Sequence, residues 1–279
     1  MRRFTVVTSI ITAGAAAGTL AGCGSSSPSA SSATSKAAST GTKAASAAAS
    51  ATGTAGAGSI TVFAAASLQG SFTQIGKQFE AAHPGDTVTF SFGPSSGLAT
   101  QITSGAPASV FASAAPANMD QVVKAGDASS PSDFAKNKME VAVPPGNPAK
   151  VSSVDNLSKP SVKVALCQPQ VPCGTTAAKV FRNAGIAVKP VTLQADVKSV
   201  LTQVELGNVD AGMVYVTDVK AAGSKVKGIA IPSSDNASTL YPIATIKNAK
   251  NMSVAREFVD YVMSPAGQKV LAAAGFEKP

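Results

Sequence analysis

Four positions in this chain share a setting that can bind a negative charge: Ser67, Ser95, Cys173 and Val197 each follow a short β-forming run and open a stretch of helical spacing. The first is the clearest. Ile60-Thr61-Val62-Phe63 collapses into Ala64-Ala65-Ala66, and Ser67 precedes apolar residues Leu68, Phe72, Ile75 and Phe79 at a period near 3.6, stopped by His83-Pro84-Gly85. This predicts strand, tight turn and helix, with Ser67 at the N-cap. A helix start offers unpaired N–H groups and the positive end of the macrodipole, so small neighbours make it an anion site. Taken alone, Ser67 reads as an ordinary N-cap. Repetition separates the two readings, because each helix start contributes ~0.3–1 kcal/mol to an anion and four together hold a dianion without a cation. None of the four turns contains Lys or Arg, and Asp196, expected as an acid in a first helical turn, is the one carboxylate. A pocket of donors alone suits an oxyanion that carries no proton, since a protonated one would bury a mismatch of ~1–3 kcal/mol. That inference fails if Asp196 turns inward.

The elements that must position these residues alternate throughout. Strand runs are expected at Ile60–Phe63, 86–92, Val110–Ala112, 140–143, 162–167, 188–193, 211–215, 228–232 and 241–246, with amphipathic stretches between them. Pro116 sits where a helix begins, Gly207 where one ends, and Ser264-Pro265 ends one helix while capping the last. The expected class is α/β with mixed, mostly parallel sheets flanked by helices in two lobes. Pro144-Pro145 and the Tyr241–Ile246 run are the expected crossovers, giving one lobe from 59–140 and 243–279 and another from 141–242. In such sheets helix starts gather outside the carboxyl ends of the strands, so two facing lobes would aim all four into one cleft. Tyr215 ends a buried-looking strand, where its ring packs and its hydroxyl meets either water or a ligand.

Upstream of this domain the chain reads differently. Met1-Arg2-Arg3, a small and apolar stretch and Leu20-Ala21-Gly22-Cys23 resemble a bacterial lipoprotein signal, which implies that 1–22 is removed and Cys23 lipidated on an exported protein. Residues 23–58 are almost all Ser, Ala, Thr and Gly, with nothing to bury against the entropy of ordering them, and read as a tether. Four of the 23 basic residues lie before residue 59, leaving 19 against 15 acids in the folded part. With no Trp, three Tyr and scattered lysines, a nucleic-acid surface is not expected. Setting Cys23 aside leaves Cys167 and Cys173, an even pair in an exported chain, hence a disulfide; one histidine and no second pair argue against a metal site.

Val62-Phe63-Ala64-Ala65-Ala66-Ser67-Leu68, Ser95-Ser96-Gly97-Leu98-Ala99, Gly105-Ala106-Pro107-Ala108, Val171-Pro172-Cys173-Gly174, Asp196-Val197 and Gly212-Met213-Val214-Tyr215 together resemble the periplasmic molybdate-binding proteins of ABC importers. The likeness spans Ile60 to Phe276. It implies a two-lobed, type II periplasmic-binding-protein fold: a monomer, not an enzyme and without cofactor, that closes around molybdate or tungstate and docks onto a permease with its ATPase. The implied contacts are hydroxyl and amide of Ser67 and Ser95, the amides of Cys173 and Val197, and the hydroxyl of Tyr215. Ser109 stands where the family often has Asp after the GAPA segment. Sulfate, thiosulfate or phosphate is the alternative cargo. A serine hydrolase is the remote one, since the lone His83 reads as a helix C-cap rather than a base.

Overall fold

The computed structural model describes residues 58–279. The expected leader, Cys23 and nearly all of the tether lie outside the described residues. No described helix is long and apolar enough to cross a membrane.

The β-branched opening forms β1 (Ser59–Ala65), buried from Val62 onward. A 3-10 turn, Ala66–Leu68, leads into α1 (Gln69–Ala82), which buries Phe72, Ile75 and Phe79 on the face their spacing predicts. At its end His83 Nδ1 meets the Phe79 carbonyl at 2.9 Å, and the His83 ring stacks on Phe79 at 4.2 Å. The same unit recurs as β2 (Thr87–Gly93) and α2 (Ser95–Thr103), then β3 (Val110–Ala112) and α3 (Pro116–Lys124), with Pro116 in the first turn. A 12-residue strand, β4 (Ser132–Val143), follows.

Next come β5 (Val164–Cys167), α4 (Pro172–Asn183), β6 (Thr192–Gln194), α5 (Val197–Glu205), β7 (Ala211–Tyr215) and α6 (Val216–Ala222). Strands β8 (Lys227–Ile229) and β9 (Ser238–Thr245) precede α7 (Met252–Met263) and α8 (Pro265–Ala274). Ser264 caps α8, as expected, its Oγ facing the Gly267 N–H at 3.4 Å. Gly207, just past α5, takes φ +68°, a left-handed value that suits glycine. Strand β6 is shorter and later than the 188–193 run suggests, because Pro190 has no N–H for a ladder.

The strand order is β2-β1-β3-β9-β4-β7-β5-β6, with β8 beside β4. Pairings β1–β2, β1–β3, β5–β6 and β5–β7 are parallel, as the alternation predicts. Every pairing that involves β4 or β9 is antiparallel, so the sheet is evenly mixed. The cause is β4 itself. Its first part, to Lys138, pairs with β9, whereas from Met139 it pairs with β7.

The core divides at the same place. Phe134 and Ala135 belong to a cluster with Phe72, Phe79 and Phe258, while Met139 and Val141 belong to one with Val200, Met213 and Tyr215. A third cluster, around Phe63, Phe111 and Met119, covers the opposite face of the first sheet half. The chain therefore passes between halves inside β4, a few residues before the Pro144-Pro145 exit.

Candidate functional site

Ser67, Ser95, Cys173, Val197 and Tyr215 all line one cavity, together with Gly93, Pro94, Ala114 and Asp196 among others. It encloses about 230 Å³ of non-atom space, open solvent at its mouth included, and so suits a small ion. Among the described residues, no Lys, Arg or His lies in its wall.

Local sequence explains how each residue arrives. Ser67 is not an N-cap: the 3-10 turn starts at Ala66 with Ala65 before it, so Ser67 lies within the first turn, where amides still lack intrahelical partners. Pro94, extended at φ −64° and ψ 129°, is the cap residue of α2 and leaves Ser95 as its first helical residue. Val171 and Pro172 do the same for α4, placing Cys173 second. Asp196 caps α5 through Oδ1, which accepts the Ser199 N–H at 2.9 Å, and Val197 follows as the first helical residue. Asp196 thus stands one step earlier than the first-turn acid expected of it, and it borders the cavity with that oxygen committed to the cap.

The serine hydroxyls are held by the protein. Ser95 Oγ accepts the Ala114 N–H at 3.0 Å, and Ser67 Oγ lies 2.9 Å from the hydroxyl of Tyr241, a fully buried residue of β9. Tyr215 differs. It is buried, yet its hydroxyl has no hydrogen-bond partner among the described residues. An unpartnered buried hydroxyl is destabilising by about 1–3 kcal/mol, and here it sits in the wall of a cavity. Burial pushes the Tyr215 phenol well above its usual range, so it is a neutral donor at any physiological pH.

Beneath the cavity lies a pair that the sequence did not suggest. Asp218, fully buried on α6, receives the Tyr215 N–H on Oδ2 at 3.1 Å, while Lys198 Nζ lies 2.9 Å from Oδ1. Lys198 adjoins Val197, so the ion pair ties the start of α5 to the start of α6. Burial raises the Asp218 carboxyl above the usual carboxylate range, and Lys198 opposes that shift. Asn137, Thr217 and Tyr241 also escaped sequence reading. The signal was a polar Asn in a run, Phe134 to Val141, whose alternate positions turn inward.

Cys167 and Cys173 form the expected disulfide, joining the end of β5 to the first turn of α4. Gly174 follows it for a steric reason: a Cβ there would collide with the Gln168 carbonyl oxygen. The loop is packed against the helix start too closely for any side chain. Ser109, in the Asp position of the resemblance, is buried and accepts the Thr61 N–H on Oγ at 3.2 Å, fastening β1.

A cation-free cavity lined by helix starts from separate strands, in a mixed sheet that divides into two halves, is the architecture of a small-anion receptor. The model of the bacterial extracellular solute-binding proteins matches residues 60–277, and the chain belongs to that family. It is 46% identical over 227 residues to the molybdate-binding protein ModA of Mycobacterium tuberculosis (strain ATCC 25618 / H37Rv), an alignment covering 81% of this chain and 87% of that protein. Among solved structures, the periplasmic molybdate-binding protein of Azotobacter vinelandii matches with a TM-score of 0.70 at 24% identity, over 79% of this chain and 99% of that one. The sulfate-binding protein SubI of Mycobacterium tuberculosis H37Rv matches with a TM-score of 0.69 at 21% identity, over 79% of this chain and 86% of that one. The fold is that of the periplasmic binding proteins.

Proposed function

We propose that this protein captures molybdate, or the nearly identical tungstate, in the cavity lined by Ser67, Ser95, Cys173, Val197 and Tyr215. The observation that carries the reading is the unpartnered Tyr215 hydroxyl, buried in a wall without cations and facing the helix starts of Ser67, Ser95, Cys173 and Val197. Such a wall replaces the hydration of a proton-free tetrahedral dianion with fixed N–H and O–H dipoles. The relative at 46% identity is a molybdate-binding protein, which favours this cargo over sulfate.

The proposal extends to the working cycle. The two halves are lobes, expected as 59–140 with 243–279 and 141–242 but dividing within β4 after Lys138 and before β9, which close over the ion and present it to an ABC permease driven by its own ATPase. The protein acts as an exported monomer, tethered through lipid on Cys23, and catalyses no reaction. The test is thermal unfolding of the purified domain with molybdate, tungstate, sulfate and phosphate. A ligand at a hundred times its Kd stabilises by about 2.7 kcal/mol, roughly 5–10 °C for a domain of this size. Molybdate and tungstate should produce that shift and phosphate none. Absence of a shift with either metal oxyanion overturns the proposal.

A further inference from the structure

The cavity serines are not free to choose whether they donate or accept. For Ser95 the constraint is direct, because the Ala114 N–H that reaches its Oγ can only donate. Its own proton is therefore free for the cavity. For Ser67 the constraint is remote and begins at Asn137 on β4, 1% exposed, in the segment where that strand passes between halves of the core.

Asn137 Oδ1 accepts the Lys138 N–H at 3.0 Å. A backbone N–H has no lone pair to offer, so this contact fixes which end of the amide is which. The Nδ2 group must then point the other way, and it lies 2.8 Å from Thr217 Oγ1 and 3.4 Å from the Tyr241 hydroxyl oxygen. Both oxygens receive protons from it. Tyr241, fully buried, hydrogen-bonds Ser67 Oγ at 2.9 Å, and since Asn137 already donates to the Tyr241 oxygen, we take the Tyr241 proton to go to Ser67. Ser67 thus accepts from behind and presents its proton in front. The direction runs one way from the Lys138 amide through Asn137 and Tyr241 to the cavity.

The two serines are served by the same strand. Thr239 Oγ1 donates to the Ala114 carbonyl at 2.8 Å, and Ala114 in turn donates to Ser95, while Tyr241, two residues along β9 and so on the same face, serves Ser67.

We propose that Asn137 is a specificity-determining positioning residue: by fixing the direction of the relay it frees the Ser67 proton for the cavity, and so disfavours oxyanions that would bring a proton of their own to that point. The inference rests on the cavity being an oxyanion site. It assigns to a residue outside the cavity wall the discrimination between molybdate or sulfate, which are proton-free at neutral pH, and hydrogen phosphate, which is not. An O–H of hydrogen phosphate directed at Ser67 would meet another proton.

Asn137→Asp keeps the shape and reverses the relay. A carboxylate accepts the Tyr241 proton, Tyr241 then accepts from Ser67, and Ser67 turns lone pairs to the cavity. Tyr241→Phe cuts the relay while keeping a ring against Phe134 and Phe276, whose centroids lie 6.2 and 5.3 Å away. Competition titrations at neutral pH, with molybdate, sulfate and hydrogen phosphate on wild type and both variants, read the outcome. In Asn137→Asp, molybdate and sulfate affinity should fall together, and the ratio of hydrogen phosphate Kd to molybdate Kd should narrow by about tenfold, the loss of one favourable donor. In Tyr241→Phe, where Ser67 regains its choice, the ratio should narrow about threefold. Wild type that fails to bind molybdate refutes the oxyanion reading itself. Wild type that binds molybdate, with ratios unchanged in the variants or with all three anions weakened equally, overturns the role of Asn137 alone. If Asn137→Asp does not fold, the ratio in Tyr241→Phe decides.

Discussion

Replacing Tyr215 by Phe should spare the free protein and weaken the loaded one. In the free protein the hydroxyl borders the cavity with no partner among the described residues, so its removal breaks no hydrogen bond with them. The rest of the residue stays in place: its N–H is held by Asp218 Oδ2 at 3.1 Å, and its ring meets Tyr241 edge-on at 6.2 Å. Unfolding of the unliganded variant should therefore occur no lower than the wild-type temperature. In the loaded protein the same hydroxyl donates to a charged oxygen, a bond contributing about 1.5–3 kcal/mol, so molybdate Kd should rise roughly tenfold to a hundredfold. Calorimetric titration and a thermal scan of the free variant measure the two arms. A Tyr215→Phe protein that binds molybdate like wild type refutes the assignment of Tyr215 to the ligand, and one that is less stable when free refutes the account of its hydroxyl as an unmet donor.

Three further outcomes follow from the geometry. Replacing Cys167 and Cys173 by Ser should lower stability by about 2 kcal/mol, from the small loop released, and weaken molybdate binding; unchanged affinity would show that the α4 start keeps its shape without the bridge. Gly174→Ala, whose added carbon would collide with the Gln168 carbonyl, should cost about 1–3 kcal/mol in chemical denaturation and also lower affinity. Asp218 holds its proton to higher pH when folded than when unfolded, because burial outweighs Lys198. It therefore favours folding most below its ordinary pKa near 3.9, and that advantage fades as pH rises through the raised native value. The melting temperature of wild type relative to Asp218→Asn should accordingly decline as pH rises across that window, and a relative increase would contradict the assigned direction.

What the sequence disclosed was local. Apolar spacing placed α1, and Pro116, Gly207 and Ser264 marked helix ends because each acts on its own backbone within a turn. The helix starts were legible for the same reason, although Ser67 could not be separated from a cap until the turn at Ala66 was seen. The passage inside β4 was not legible. Lys136 and Lys138 alternate there with inward residues, and both reach Glu277, at 3.3 and 3.0 Å, a partner from the far end of the chain. Nor was the support beneath the site, since Ser67 and Tyr241 lie 174 residues apart and Asn137 and Tyr241 104 apart. Periodicity reports which face is apolar; it carries no record of which polar groups meet inside.

The lack of lysine and arginine in the cavity wall bears on how a carrier would let go of its cargo. A dianion gripped by counter-charges has to be pulled from ion pairs, and screening by dissolved salt would tune every step. Oriented amides and hydroxyls hold only while they converge and exclude solvent, so a small parting of the walls admits water that can make the same bonds. Tight retention and easy surrender then need no chemical change, only a change in distance.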